Sequence, residues 1–174
     1  MEYKASMTLL GKLVKADNLP KHSKKLAISS PLSGAVVPLD EVPHDLFKHR
    51  LFGEGVAIKP SGYQVIAPFN GHIMEFPELA NQIRLKAKNG LQIQIQLGID
   101  SHLLMAEGFK RIKKPGDSFI QGDIIAEFSL IKMKKQLPSI LCPVTLLNSE
   151  KVTAILPHYY SVIAGEDTIM SILI

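Results

Sequence analysis

Between Gly90 and Gly98 the chain alternates without a break: Leu91, Ile93, Ile95 and Leu97 fall on one side, Gln92, Gln94 and Gln96 on the other. A period of two is what a strand imposes, because successive side chains leave opposite faces of the pleat. One face of this strand belongs to a core. The other presents three neutral amides, each able to donate and to accept hydrogen bonds. None of the three is a competent nucleophile, since a carboxamide does not attack phosphorus or a carbonyl as an imidazole or thiolate does. The preceding Asn89-Gly90 is a strong hairpin signal.

The same short-strand pattern runs from residue 26 onward. Leu26–Ser30, Gly34–Leu39, Val56–Lys59, Tyr63–Ala67, Gly71–Phe76, Gln82–Ala87, Leu91–Leu97, Ile124–Phe128 and Pro143–Leu147 all read as strands, with Gly, Pro, Asn or Asp at the joints. Runs at this spacing predict an all-β sandwich or barrel. Two short helices are expected, His44–Lys48 and Leu130–Gln136, the second stopped before Pro138. Pro31-Leu32-Ser33-Gly34-Ala35-Val36 is echoed by Pro68-Phe69-Asn70-Gly71-His72-Ile73, and Gly116-Asp117 by Gly122-Asp123. Either a duplicated β-motif or recurring turn chemistry accounts for these echoes.

Charge divides the chain. Residues 1–25 hold six lysines against Glu2 and Asp17, which accounts for the whole net charge of +4. The chain therefore reads as a basic N-terminal extension, 1–25, and a neutral body, 26–174. A neutral body argues against a nucleic-acid face, which needs clustered Lys and Arg. In the extension, Met7, Leu9, Leu10, Leu13 and Val14 could stripe a short helix and make weak membrane contact, or pair as a strand onto the body. Lysines break up the first 20 residues, so they do not read as a secretory signal. No apolar run approaches the roughly 20 residues of a membrane span. The single cysteine, Cys142, sits in an apolar run and reads as a buried, inert thiol. A cytoplasmic protein, with weak membrane association through its tail, is the expectation.

Six segments, taken in order, narrow the reading. They are Ser30-Pro31-Leu32-Ser33-Gly34, Glu41-Val42-Pro43, Gly53-Glu54-Gly55-Val56-Ala57-Ile58-Lys59-Pro60, Ala67-Pro68-Phe69-Asn70-Gly71, Leu97-Gly98-Ile99-Asp100 and Glu107-Gly108-Phe109-Lys110. Together they resemble the motif series of glucose-family enzyme IIA of the bacterial phosphoenolpyruvate-dependent sugar phosphotransferase system. The resemblance spans roughly residues 26–165. It implies an antiparallel β-sandwich or flattened barrel of the glucose-permease enzyme IIA (duplicated hybrid motif) type, with a shallow apolar depression. In active members two histidines face each other there, one accepting a phosphoryl group and the other hydrogen-bonding it. The partners implied are phosphotransferase-system proteins, a permease or a regulatory enzyme; no cofactor is implied.

Carried over by position, the acceptor histidine falls on Gln96 and the supporting one on Leu79, within one or two residues. No histidine lies between His72 and His102. Asp100 keeps the family's aspartate. His44 stands where an aspartate is usual, Phe47 keeps the loop's aromatic, and Gln94 replaces an aromatic. The resemblance thus implies a scaffold without its catalytic histidines, with Phe47, Gln94 and Asp100 at the rim of a docking surface and His44 as a possible substitute acceptor.

The remaining candidates are weaker. The six histidines show no metal-binding spacing. Asp100-Ser101-His102 is too local to form a triad, which is defined by geometry. The three glutamines could instead hold a sugar or other neutral polar ligand.

Overall fold

The computed structural model describes residues 12–148 and 152–174. The largest sheet has eight strands: β2 (Gly34–Pro38), β3 (Glu54–Pro60), β5 (Gly71–Glu75), β6 (Gln82–Ala87), β7 (Gln92–Gln96), β9 (Ser118–Phe119), β11 (Cys142–Leu146) and β13 (Ser161–Val162). Their spatial order is β13-β2-β3-β11-β7-β6-β5-β9. A second sheet joins β1 (Lys25–Ser29), β14 (Thr168–Leu173) and β12 (Ala154–Pro157), and a third joins β4 (Gln64–Ile66), β10 (Ile124–Phe128) and β8 (Phe109–Arg111). Each named pairing is antiparallel. Two short α-helices, α1 (Asp45–Lys48) and α2 (Leu130–Gln136), and two 3-10 turns, Leu39–Glu41 and Ser101–Leu104, complete the set.

Alternation positions the layers. Val36, Ile58, Ile83, Leu85, Ile93, Ile95 and Val144 from the large sheet share one core with Ile28, Ile125, Phe128, Ile155, Met170 and Ile172 from the two small sheets. Burying each such side chain contributes about 1.5–3 kcal/mol. A second, smaller cluster lies on the outer face of the large sheet. Val37 and Ala57 face each other across β2 and β3, one residue out of phase with the inward Val36 and Ile58. They pack with Leu39, Val42, Phe47, Phe52, Ile99 and Leu141. The 39–53 segment therefore lies against the outer face and meets the end of β7 through Ile99.

Nine of the strands match the expected runs. The unannounced ones fall into two groups. β8, β9 and β13 are two or three residues long, too short to show a period. β12 (Ala-Ile-Leu-Pro) is buried over its first three residues, and β14 (Thr-Ile-Met-Ser-Ile-Leu), central in its sheet, is buried from its second residue onward. A strand covered on both sides has no reason to alternate. The sequence echo at 37 residues has a steric cause. A Cβ at Gly34 would lie 2.0 Å from the Lys59 carbonyl oxygen, and one at Gly71 would lie 2.0 Å from that of Lys86. Both glycines open strands that a neighbouring backbone approaches too closely for any side chain. The Gly-Asp echoes are turn chemistry: Asp117 accepts from the Lys114 N–H at 2.7 Å and Asp123 from that of Ile120 at 3.1 Å.

The extension partly joins the body. The Val14 N–H donates to Ile155 O at 2.9 Å and the Ile155 N–H to Lys12 O at 2.6 Å. Leu13 forms a parallel bridge to Ile155 and packs against the core. Its end is thus a strand segment on the free edge of β12, not a helix. Met7, Leu9 and Leu10 lie outside the described residues. No helix among the described residues is long and apolar enough to cross a membrane.

Candidate functional site

Gln96 closes β7 on the outer face, half-buried, with its Nε2 donating to Gly98 O at 3.2 Å. Directly across the ladder stands Gln82, and the Leu97 N–H donates to Asn81 O at 2.9 Å. Leu79 sits outside this pairing, in the loop before β6. Ala80, in the left-handed region at φ 54°, turns the chain between Leu79 and the strand. The register therefore replaces Leu79 with Asn81 and Gln82 as the neighbours of Gln96. Neither is an imidazole.

The centre of this face is polar, against the expected apolar depression. Gln82, Arg84 and Lys86 on β6 oppose Gln96, Gln94 and Gln92 on β7. Gln94 is only 1 % exposed. Its Oε1 accepts from Gln82 Nε2 at 3.2 Å and from Arg84 Nε at 3.0 Å. Gln94 is thus a buried hub that accepts from Gln82 and Arg84 while its own Nε2 has no partner, not a rim residue.

Phe47 is also misplaced by the sequence reading. It is 1 % exposed, the anchor of the small outer cluster, with its ring 5.1 Å from that of Phe52. It offers no surface to a partner. The exposed apolar side chains nearby in sequence are Leu46 and Leu51 on the same segment, and Leu103 and Met105 just beyond Asp100; Met105 is 76 % exposed. Sequence reasoning missed these four. The signal was a Leu103-Leu104-Met105 run in which only Leu104 is buried.

His44 is the N-cap of α1. Its Nδ1 accepts from the Leu46 N–H at 3.3 Å, and its ring meets Phe47 edge-on at 5.6 Å. A capping nitrogen must offer its lone pair to that N–H, so Nδ1 is engaged and Nε2 carries the hydrogen. Asp100 adopts the left-handed conformation at φ 57° and caps the following 3-10 turn without a side-chain hydrogen bond. Among the described residues, no group of three or more His, Cys, Asp or Glu could hold a metal ion.

One clamp went unforeseen. Arg50, buried and left-handed at φ 59°, donates to Glu54 Oε1 at 2.8 Å, Asp40 Oδ1 at 3.0 Å, Lys48 O at 2.8 Å and Phe47 O at 3.3 Å. One guanidinium fork fastens the whole 39–54 segment to the sheet.

Comparison with known proteins agrees with the fold. Residues 26–152 match the model of the phosphoenolpyruvate-dependent sugar phosphotransferase system, EIIA 1 family. A PTS system glucose-specific EIIA component from Haemophilus influenzae is 31 % identical over 150 residues, covering 86 % of this chain and 90 % of that protein. The corresponding component from Buchnera aphidicola subsp. Acyrthosiphon pisum is 33 % identical over 151 residues, 87 % of this chain and 94 % of that one. The solved structure of glucose permease IIA from Mycoplasma capricolum superposes with a TM-score of 0.78 at 25 % identity, covering 86 % of this chain and 96 % of that chain.

Proposed function

The chain belongs to the EIIA 1 family of the phosphoenolpyruvate-dependent sugar phosphotransferase system, and from that premise we propose that it is an enzyme IIA-like docking module that carries no phosphoryl group. The observation that supports this is Gln96. It occupies the place where the family resemblance puts the acceptor, and the residue across the ladder, Gln82, is an amide too, as is Asn81 before it. Phosphoryl transfer to a side chain needs a nucleophilic lone pair, and the amide nitrogen has none to give. Without the added charge of a phosphoryl group, the docking face keeps one electrostatic state. The partners are other proteins of the phosphotransferase system, a permease or a regulatory enzyme among them, meeting the exposed Leu46 and Leu51 beside α1 and Leu103 and Met105 beyond Asp100. Residues 26–174 form the docking body in the cytoplasm, and residues 1–25 form a basic extension with weak membrane contact.

A second reading makes His44 a substitute acceptor, since it is an imidazole on the segment beside Ile99. It requires His44 to release the Leu46 N–H first, because the free lone pair is the one now capping α1.

The test is a phosphotransfer assay with phosphoenolpyruvate, the general phosphotransfer enzyme and its histidine phosphocarrier. The natural chain is expected to take no label, and Gln96→His/Asn81→His to take acid-labile label. Label on the natural chain would overturn the proposal, and its loss in His44→Ala would establish the second reading.

A further inference from the structure

The sequence holds two Asn-Gly dipeptides, Asn70-Gly71 and Asn89-Gly90. Such a pair is chemically labile, because glycine has no side chain to hinder attack of its nitrogen on the asparagine carboxamide. Both asparagines are exposed, so access to water does not separate them. The direction of each carboxamide and the freedom of each glycine do.

Asn70 is held away from its own chain. Its Oδ1 accepts from the Gln121 N–H at 2.8 Å, a bond to a segment 51 residues distant. Gly71 is buried in β5 and paired on both sides, with Ala87 and with Phe119. Its nitrogen cannot turn towards the Asn70 carboxamide without breaking the sheet. Asn89 is placed in the opposite way. Its Oδ1 accepts from the Leu91 N–H at 3.1 Å, two residues on, so the carboxamide folds back over the Gly90 peptide as an Asx-turn. Gly90 has open space where a Cβ would stand. Its N–H is tied to Ala87 O at 2.9 Å, a turn bond at a hairpin tip, and such bonds open more readily than those inside a sheet.

We propose that Asn89 is a self-modifying site, converting to aspartyl and isoaspartyl forms in the folded chain while the fold protects Asn70. The Gly90 nitrogen gives its proton to water and attacks Asn89 Cγ. A Cγ–N bond forms, the Cγ–Nδ2 bond breaks, and Nδ2 leaves as ammonia with a proton taken from solvent. The resulting succinimide ring takes up one water. Opening at Cγ leaves aspartate, and opening at the main-chain carbonyl carbon leaves isoaspartate, with the chain now running through the side-chain carbon. Either product adds a negative charge to the tip joining β6 and β7. The isoaspartyl form also inserts a methylene ahead of Gly90, whose carbonyl accepts from Asn148 Nδ2 at 2.8 Å, while Asn148 Oδ1 accepts from the Gln92 N–H at 2.7 Å. The modification thus acts on the clasp that ends the hairpin carrying Gln82 and Gln96, whether or not the chain carries a phosphoryl group.

The full chain is aged at pH 8 and physiological temperature, cut with an acid protease so that no ring forms during digestion, and its peptides are followed by mass spectrometry with fragmentation that separates aspartate from isoaspartate. Asn89 is expected to convert at least about tenfold faster than Asn70, since misplacing a reacting group costs this much or more. In denaturant the two sites are expected to convert at similar rates. Gly90→Ala should slow Asn89 at least about tenfold by crowding the attacking nitrogen, and its backbone amide spectrum reports whether the hairpin is kept. No conversion at Asn89 in the folded chain, a rate at Asn70 equal to or above it, or a rate untouched by Gly90→Ala overturns the site. A preference for Asn89 that persists in denaturant overturns protection of Asn70 by the fold.

Discussion

Arg50 Nε and Glu54 Oε1 meet at 2.8 Å with both side chains buried, and this contact holds the segment that carries His44, Leu46 and Leu51 against the outer face. The same guanidinium reaches Asp40, but that carboxylate is largely exposed. Removing one member of a buried pair leaves the other charge uncompensated, at a cost of about 3–5 kcal/mol. Arg50→Met is therefore expected to lose about 3 kcal/mol in urea unfolding, while Asp40→Asn stays within about 1 kcal/mol of the natural chain. Equal losses would show that the exposed arm carries the clamp.

Glycine is required at position 71 for space and at position 90 for conformation. A Cβ at residue 71 would strike the Lys86 carbonyl oxygen at 2.0 Å, whereas one at residue 90 meets nothing within 4 Å but sits at φ 93°. Gly71→Ala is expected to destabilise by about 3 kcal/mol through overpacking against backbone. Gly90→Ala should cost about 1 kcal/mol, from the positive φ alone. Thermal unfolding of the two variants side by side checks the order.

The Cys142 thiol is fully buried, and burial pushes its pKa up to about 12. Its Sγ donates to Ile140 O at 3.3 Å. Only thiolate reacts with alkylating agents, so iodoacetamide at pH 8 is expected to leave the native chain unmodified and to label it fully in denaturant. Mass spectrometry of the intact chain reads the difference, and rapid native labelling would refute the burial.

His158 lies beside Ser171, its Nε2 3.2 Å from the hydroxyl. Burial, aided by the positive charge of Lys25, holds its pKa below the usual 6.5. As pH falls below 6.5 the unfolded chain takes up the proton before the folded one does. The stability from this group is therefore fully present above pH 6.5 and is lost as pH drops through the depressed folded value. His158→Gln should flatten the decline of unfolding free energy over that acid range; an unchanged slope would place the titration elsewhere.

Sequence determined those features that depend on local periodicity or local sterics. The alternation from Leu91 to Leu97 fixes a strand and its two faces, Asn89-Gly90 fixes its hairpin, and histidine is absent between residues 72 and 102. The two short helices lie within a residue of their expected places, the second ended by the approach of Pro138. Tertiary structure decided what depends on pairing across distance. Register, not spacing, sets Asn81 and Gln82 rather than Leu79 beside Gln96, because a left-handed Ala80 changes the chain's direction just before the strand. Packing turned Phe47 from a surface aromatic into a core anchor, since the 39–53 segment lies against the sheet and only the adjacent leucines are left outside. Gln94 shows the division most clearly. Its sequence position says that it points away from the main core, yet only the arrival of Arg84 from β6 and Thr145 from β11 buries it and leaves its amide nitrogen unpaired.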